Sequence, residues 1–331
     1  MKIKKLLLIF AFLLDLSACS QGPVLTAEAP STLTPFLLPD GVTLSATPAP
    51  LPISTPSMVP SPDSSLPPIP IPTFLPVTEM ASDFSPVLYG KKYDANTFFI
   101  LLGGWQGDNW LTPDVAATYF GNLSGWEYDV YPLAKEKFQI HGDRLEFSPP
   151  HKIYTIGTEI NVDESGMVGV AKGWHVLQRD VRELSPDNET HRQVVLDWLM
   201  AQGLSEPELS ALHVFRVDLE GDGVDEVFIS ATHLENQHGT KPGDYSVILM
   251  RKVQGNGATS LLVVGDVYHL EEMTMPREYS FGNFLDLNGD GVLEVIVDIR
   301  RWDGDGAVIY QIDGQNITQL PCDIGWACNG L

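Results

Sequence analysis

Two nine-residue stretches hold the side chains best suited to chemistry. Asp218-Leu-Glu220-Gly-Asp222-Gly-Val224-Asp225-Glu226 and Asp286-Leu-Asn288-Gly-Asp290-Gly-Val292-Leu293-Glu294 align as Asp-x-(Glu/Asn)-Gly-Asp-Gly-x-x-Glu, each between apolar runs. Calcium is a hard cation that takes six to eight oxygen ligands, and alternate positions of such a loop can supply most of them. The candidate ligands are Asp218, Glu220, Asp222 and Glu226 with the carbonyl of Val224, then Asp286, Asn288, Asp290 and Glu294 with the carbonyl of Val292. Glycine at the sixth position lets the backbone turn tightly around an ion. The first loop crowds Asp218, Glu220, Asp222, Asp225 and Glu226 into nine residues, and such carboxylates repel unless a cation sits among them. Ca2+ is therefore expected as a structural ion whose removal loosens both loops.

The flanks separate the families that use loops of this kind. An EF-hand needs a helix on each side and a bidentate acid at position 12. Position 12 is Ile229 or Val297 here, and the flanks are β-branched. Dockerin-type repeats fail for the same reason and lie closer together than this 68-residue offset. The pattern resembles the FG-GAP or VCBS repeats of integrin-like β-propellers, in which the loop joins two strands of a blade and the ninth residue completes the metal shell. Glu226 and Glu294 stand where Asp is more usual, and Glu220 is a longer departure at position 3, which favours the second site. The resemblance implies antiparallel four-stranded blade-like units in a partial β-propeller-like arrangement. The downstream sequence agrees, with strands at 245–253 and 260–268 after the first loop and at 307–312 and 317–320 after the second. Repeats of this kind need neighbours to cover their faces, and two blades cannot close a propeller. Residues 95–180 must therefore supply further blades or a separate β-domain, and both readings stay open.

Catalytic signatures are scarce. The eight histidines include no HExxH, His233 and His238 do not share a helical face, and no GxSxG, Walker or dinucleotide-binding loop occurs. In the stretch 103–110, Trp105 and Trp110 could stack on sugar rings or plug a glycine-rich loop against a sheet. Residues 302–306 (Trp-Asp-Gly-Asp-Gly) lack the full ligand set and read as a tight turn. Acidic pairs are so common that no glycosidase dyad can be picked out. The favoured reading is a non-enzymatic module for ligand binding or adhesion, with a glycan or protein ligand. The alternative is an extracellular hydrolase of glycans with its carboxylate pair hidden among the acids.

The elements that position these residues read as mainly β. The apolar run 97–102 suits a buried strand stopped by Gly103-Gly104, and 138–147 alternates around Gly142-Asp143 as a hairpin would. Residues 152–156 and 173–179 read as further strands. One helix stands out, capped by Asp187 or Asn188, with Val194, Val195, Trp198 and Leu199 on one face and Gly203 closing it. It is expected to connect a β-rich region, 85–184, to the loop-bearing region, 185–331.

The N-terminal region reads as an export and tethering device. A basic start, an apolar run and Leu16-Ser17-Ala18-Cys19 form a signal peptide over residues 1–18. Its end resembles the lipobox of bacterial lipoproteins, which implies lipidation of Cys19 and a lipid-anchored location facing the extracellular or periplasmic side. Asp15 departs from the family's apolar pattern. Fifteen of the 25 prolines fall between Ser20 and Phe84, a segment without Lys or Arg, so 19–84 reads as an extended polyproline-type stalk. The chain carries 43 acidic and 20 basic residues, a formal charge of -23, which disfavours nucleic acid and favours cations. In an exported chain Cys322 and Cys328 are a candidate disulfide.

Overall fold

The computed structural model describes residues 83–93, 96–120, 126–148, 153–158, 166–254 and 257–322; the signal peptide, Cys19, nearly all of the stalk and Cys328 lie outside them. The first part runs β1 (Phe84–Tyr93), β2 (Asn96–Gln106), β3 (Asn109–Leu111), α1 (Pro113–Ala117), β4 (Trp126–Tyr131), β5 (Phe138–Ser148), β6 (Ile153–Thr158) and β7 (Met167–Ala171). Strands pair in the order β1-β7-β4-β5-β6-β2, and β1 pairs again with β2, so six antiparallel strands close into a barrel. Strand alternation then sorts the side chains. Leu88, Phe99, Leu101, Tyr128, Val130 and Ile140 belong to the filling, together with Ala116 of α1 and Phe120. Their neighbours Val87, Tyr89, Ile100, Leu102, Val168 and Val170 face the other way.

Three local expectations are corrected here. The apolar run does not stop at Gly103-Gly104, because β2 continues to Gln106. Gly142-Asp143 is no turn: β5 is one continuous strand, irregular between Gly142 and Leu145, that pairs with β4 over Phe138–Gly142 and with β6 at Gly142 and from Leu145 to Ser148. The glycine is needed for close approach, since a Cβ there would meet the Tyr128 ring at 2.6 Å and Ile156 at 2.7 Å. Residues 173–179 form no strand, and only Leu177 makes a bridge, to Asp286.

The second part holds β8 (Arg182–Leu184), α2 (Glu189–Ala201), β9 (Ala211–Val217), β10 (Glu226–His233), β11 (Tyr245–Gln254) and β12 (Gly257–Val267), then β13 (Glu278–Leu285), β14 (Glu294–Arg301), β15 (Gly304–Asp313) and β16 (Asn316–Gln319). Two antiparallel sheets result, β12-β11-β10-β9-β8 and β13-β14-β15-β16. In each, four successive strands meander in chain order and an acidic loop forms the first hairpin. The first sheet gains β8 as a fifth strand, which the sequence reading left with the N-terminal region. Strands β1 to β7 close a barrel and, among the described residues, add no further sheet of this kind, so the fold is mainly β and the described strands form no propeller ring.

Packing orders these units in layers. Outward residues of β1, β2 and β7 bury against Leu285, Leu287, Ile296, Ala307 and Ile309 of the four-stranded sheet or its loop. The opposite face, with Phe284, Val295, Val297 and Val308, packs on Phe215, Phe228, Ile248 and Met250 of the five-stranded sheet. The far side of that sheet is covered by α2 through Val195 and Leu199, with Val194 and Trp198 partly buried. Asn188 caps this helix by accepting the Thr190 amide at 2.9 Å. The helix therefore roofs the five-stranded sheet and does not bridge it to the barrel. One ion pair is buried between barrel and sheet, where Lys91 Nζ lies 2.5 Å from Asp298 Oδ1 with each side chain 9% exposed.

Candidate metal centres

The two acidic loops occupy equivalent places, one joining β9 to β10 and the other β13 to β14. Their internal bonding repeats almost atom for atom. Asp218 Oδ1 accepts the amides of Gly221 (2.7 Å) and Asp222 (3.1 Å), and its Oδ2 accepts that of Gly223 (3.0 Å). Asp286 likewise accepts from Gly289 at 2.6 Å and Gly291 at 2.9 Å. The fifth residue accepts the amide of the seventh in both, Asp222 from Val224 and Asp290 from Val292. The ninth residue closes the ring, since Glu226 accepts the Leu219 amide and Glu294 the Leu287 amide. Gly223 and Gly291 at position 6 have φ of 84° and 88°, a left-handed conformation costly for any other residue.

Position 9 lies deepest. Glu226 is 1% exposed and Glu294 2%. Burial pushes the Glu226 carboxyl up, while the Leu219 amide and Lys252 draw it back. Burial pushes Glu294 further, to about 7, against the Leu287 amide and Gln311, and the nearby Asp290 and Asp286 add to the rise. A carboxylate that has lost water and gained acidic neighbours favours a proton or a cation.

The surroundings of the loops differ. Lys252 Nζ lies 2.5 Å from Glu220 Oε1 and 3.7 Å from Glu226 Oε1. Arg216 Nε pairs with Asp225 at 2.5 Å, and Arg182 approaches the same carboxylate at 3.9 Å. Neighbouring strands thus bring basic side chains to the first loop, which the loop's own sequence does not show. Among the described residues, no lysine or arginine pairs with Asp286, Asp290 or Glu294; Glu294 Oε1 instead accepts from Gln311 Nε2 at 3.2 Å. Asn288 and Asp290 bond to each other.

The side chain of Arg179 joins the two loops. Arg179 donates to the carbonyls of Asp218 (3.0 Å) and Leu219 (2.5 Å) through one nitrogen, and to that of Gly291 (2.6 Å) through the other. The Leu293 amide adds a bond to the Leu219 carbonyl at 3.0 Å. Arg179, Lys252 and Gln311 are the residues that sequence reading missed. The loop pattern is local, whereas these three are brought in by strand register or by the connection after β7.

The donor set is chemically right for a hard cation, with carboxylates at positions 1, 5 and 9 of each loop and an amide oxygen at position 3 of the second. In the present geometry, among the described residues, no three His, Cys, Asp or Glu side chains are gathered as a metal-holding group. The position 1 carboxylates are turned into their own loops. Beside the second loop lies a cavity of about 490 Å³, lined by Glu220 from the first loop, by Asp290, Val292 and Glu294, and by Asp313.

No protein-family model matches the chain, and neither a curated protein nor a solved structure matches it. Function therefore rests on the residues themselves.

The remaining candidates resolve simply. Trp105 is buried and meets Trp110 edge to face at 5.4 Å, and Trp110 Nε1 donates to the Pro321 carbonyl at 2.7 Å. Trp110 lies over Gly103, so the pair packs as a plug of the glycine-rich stretch would. Residues 302 and 303 form the turn between β14 and β15. Cys322 is disulfide-bonded, while Cys328 falls outside the described residues. Among the described residues, no helix is long and apolar enough to cross a membrane.

Proposed function

We propose that this chain is an exported, lipid-anchored binding or adhesion protein whose blade-like sheets are stiffened by calcium at the loop 286–294. The observation that carries the metal reading is Glu294, a carboxylate 2% exposed, beside Asp286 and Asp290 and without a basic partner among the described residues. Asp286, Asn288, Asp290 and Glu294, with the Val292 carbonyl, would hold the ion, and its charge would offset the carboxylates that burial leaves poorly solvated. The ion's role is structural. Calcium is abundant outside cells, so the modest affinity of extracellular modules suffices. The leader and Cys19 support the anchored location, and the proline-rich stalk supports display of the folded part away from the surface. A glycan or protein is the expected ligand.

The direct test is elemental analysis of dialysed protein together with thermal melts in calcium and in chelator. Calcium in the dialysed protein and a melt raised by calcium are expected; a metal-free protein with identical melts would dismiss the metal. Replacing Cys19 by Ser should move the protein from the membrane to the soluble fraction.

A glycan hydrolase is the second reading, favoured by the cavity that Glu220, Asp290, Glu294 and Asp313 line. Against it, both Glu294 oxygens are engaged inward by the Leu287 amide and Gln311, so this carboxyl is not presented to a substrate. Turnover on a panel of glycans that Asp290→Asn abolishes would reverse the ranking.

A further inference from the structure

We infer that the first acidic loop takes no metal: Lys252 holds it as a built-in cation, and the protein binds a single calcium, in the second loop. The inference rests on the calcium reading of loop 286–294 and concerns how the two loops divide.

Strand register makes the comparison strict. Val227 pairs with Arg251, which places Lys252 across from Glu226, and Val295 pairs with Tyr310, which places Gln311 across from Glu294. The same site on the sheet therefore carries an ammonium beside one loop and a neutral amide beside the other. Lys252 reaches the third and ninth residues of its loop together, at 2.5 Å and 3.7 Å, and both are wanted for calcium. Its side chain is only 14% exposed, and Glu226 is 1% exposed, so the pair sits apart from bulk water where opposite charges attract strongly. A calcium ion entering this loop would have to expel Lys252 from both carboxylates.

A third acid of the loop has a basic partner as well. Asp225 pairs with Arg216 at 2.5 Å, and Leu293 is its counterpart in the second loop. The backbone around both loops is nevertheless the same, down to the bond that the second residue's amide donates to the ninth carboxylate. The first loop thus keeps the shape of a calcium loop with a lysine in place of the ion. Because Arg179 bonds to both loops, the lysine-held loop offers the metal-held one a fixed neighbour in the absence of calcium.

The test is calcium stoichiometry by equilibrium dialysis of the full chain, read beside chelator melts. The wild-type protein should bind one ion, which Asp290→Asn abolishes and Asp222→Asn leaves; both side chains are exposed, so these variants do not depend on core repacking. Lys252→Gln copies the second loop and should raise the count to two, while Gln311→Lys copies the first and should lower it to none. Two ions in the wild type, or one that Asp222→Asn abolishes, would overturn the inference and leave calcium binding standing. An unchanged count of one in a folded Lys252→Gln would also overturn it. No ion in the wild type or in Lys252→Gln would overturn the calcium reading itself, and the inference with it.

Discussion

Replacing Lys91 by Met should destabilise the protein strongly at neutral pH and much less in acid. Lys91 on β1 and Asp298 on β14 are the ion pair buried between barrel and four-stranded sheet, 2.5 Å apart and each 9% exposed. Asp305 approaches Lys91 only at 3.9 Å and is 42% exposed, so Asp298 is the main partner. Removing one member of a buried pair leaves an uncompensated charge, at a cost of about 3–5 kcal/mol. For a folded part of this size that corresponds to a melting temperature lower by roughly 6–20 °C. Burial already pushes the Asp298 carboxyl up, and Lys91 offsets part of that push. Without Lys91 the folded-state pKa rises further. A raised pKa means that the stability is fully present below the unfolded value, about 4, and is lost as pH rises toward the folded value. The deficit of Lys91→Met should therefore be small near pH ~4 and grow toward neutrality. Adding Asp298→Leu removes the stranded charge and should restore stability to within about 1–2 kcal/mol of wild type, as apolar replacements of buried pairs do. Urea unfolding followed by tryptophan fluorescence across that pH range measures each term. A Lys91→Met deficit that stays below about 1 kcal/mol, or that does not change with pH, would refute the reasoning.

Three further outcomes are expected. In chelator, the wild-type protein should lose stability as pH rises from about 4.5 to about 7, because Glu294 is held protonated by the fold over that window; the loss is about 3 kcal/mol, and Glu294→Gln should flatten the profile in a pH series of melts. Arg179→Met should cost about 2–4 kcal/mol, since its bonds to three backbone carbonyls are charge-assisted and tie both loops, and hydrogen exchange should quicken at the amides of Gly221 and Gly291 together. Gly142→Ala should cost about 1–3 kcal/mol by overpacking against Tyr128 and Ile156, measured as a shifted urea midpoint; an unchanged midpoint would contradict that close approach.

What could be read from the sequence was whatever is written locally. The loops are the clearest case: acids, glycines and β-branched flanks sit within a few residues of one another, and the predicted strands around them match β9 to β16 closely. The helix was legible for the same reason, with its Asn188 cap and apolar stripe contained in one segment. Barrel closure was not legible, because it depends on contacts such as Val87 with Val170, whose residues lie far apart in the chain. Gly142-Asp143 misled because a glycine demanded by a neighbouring Tyr ring looks the same in sequence as one demanded by a turn.

The difference between the loops follows the same logic one level up. As sequences, 218–226 is the more acidic and so the more tempting cation site, and its departure at Glu220 was the only mark against it. Its extra charge matters only in relation to what faces it, and that is set by the β10–β11 register 25 residues downstream at Arg251–Lys252. Once Lys252 and Arg216 are placed, Glu220, Asp225 and Glu226 of the first loop become partners of basic side chains within the chain. The second loop has fewer acids, yet its buried Glu294 faces only an amide. On the single-calcium reading proposed above, demand for an external cation follows the surroundings of the ninth position, whereas the count of acids in the motif points to the other loop.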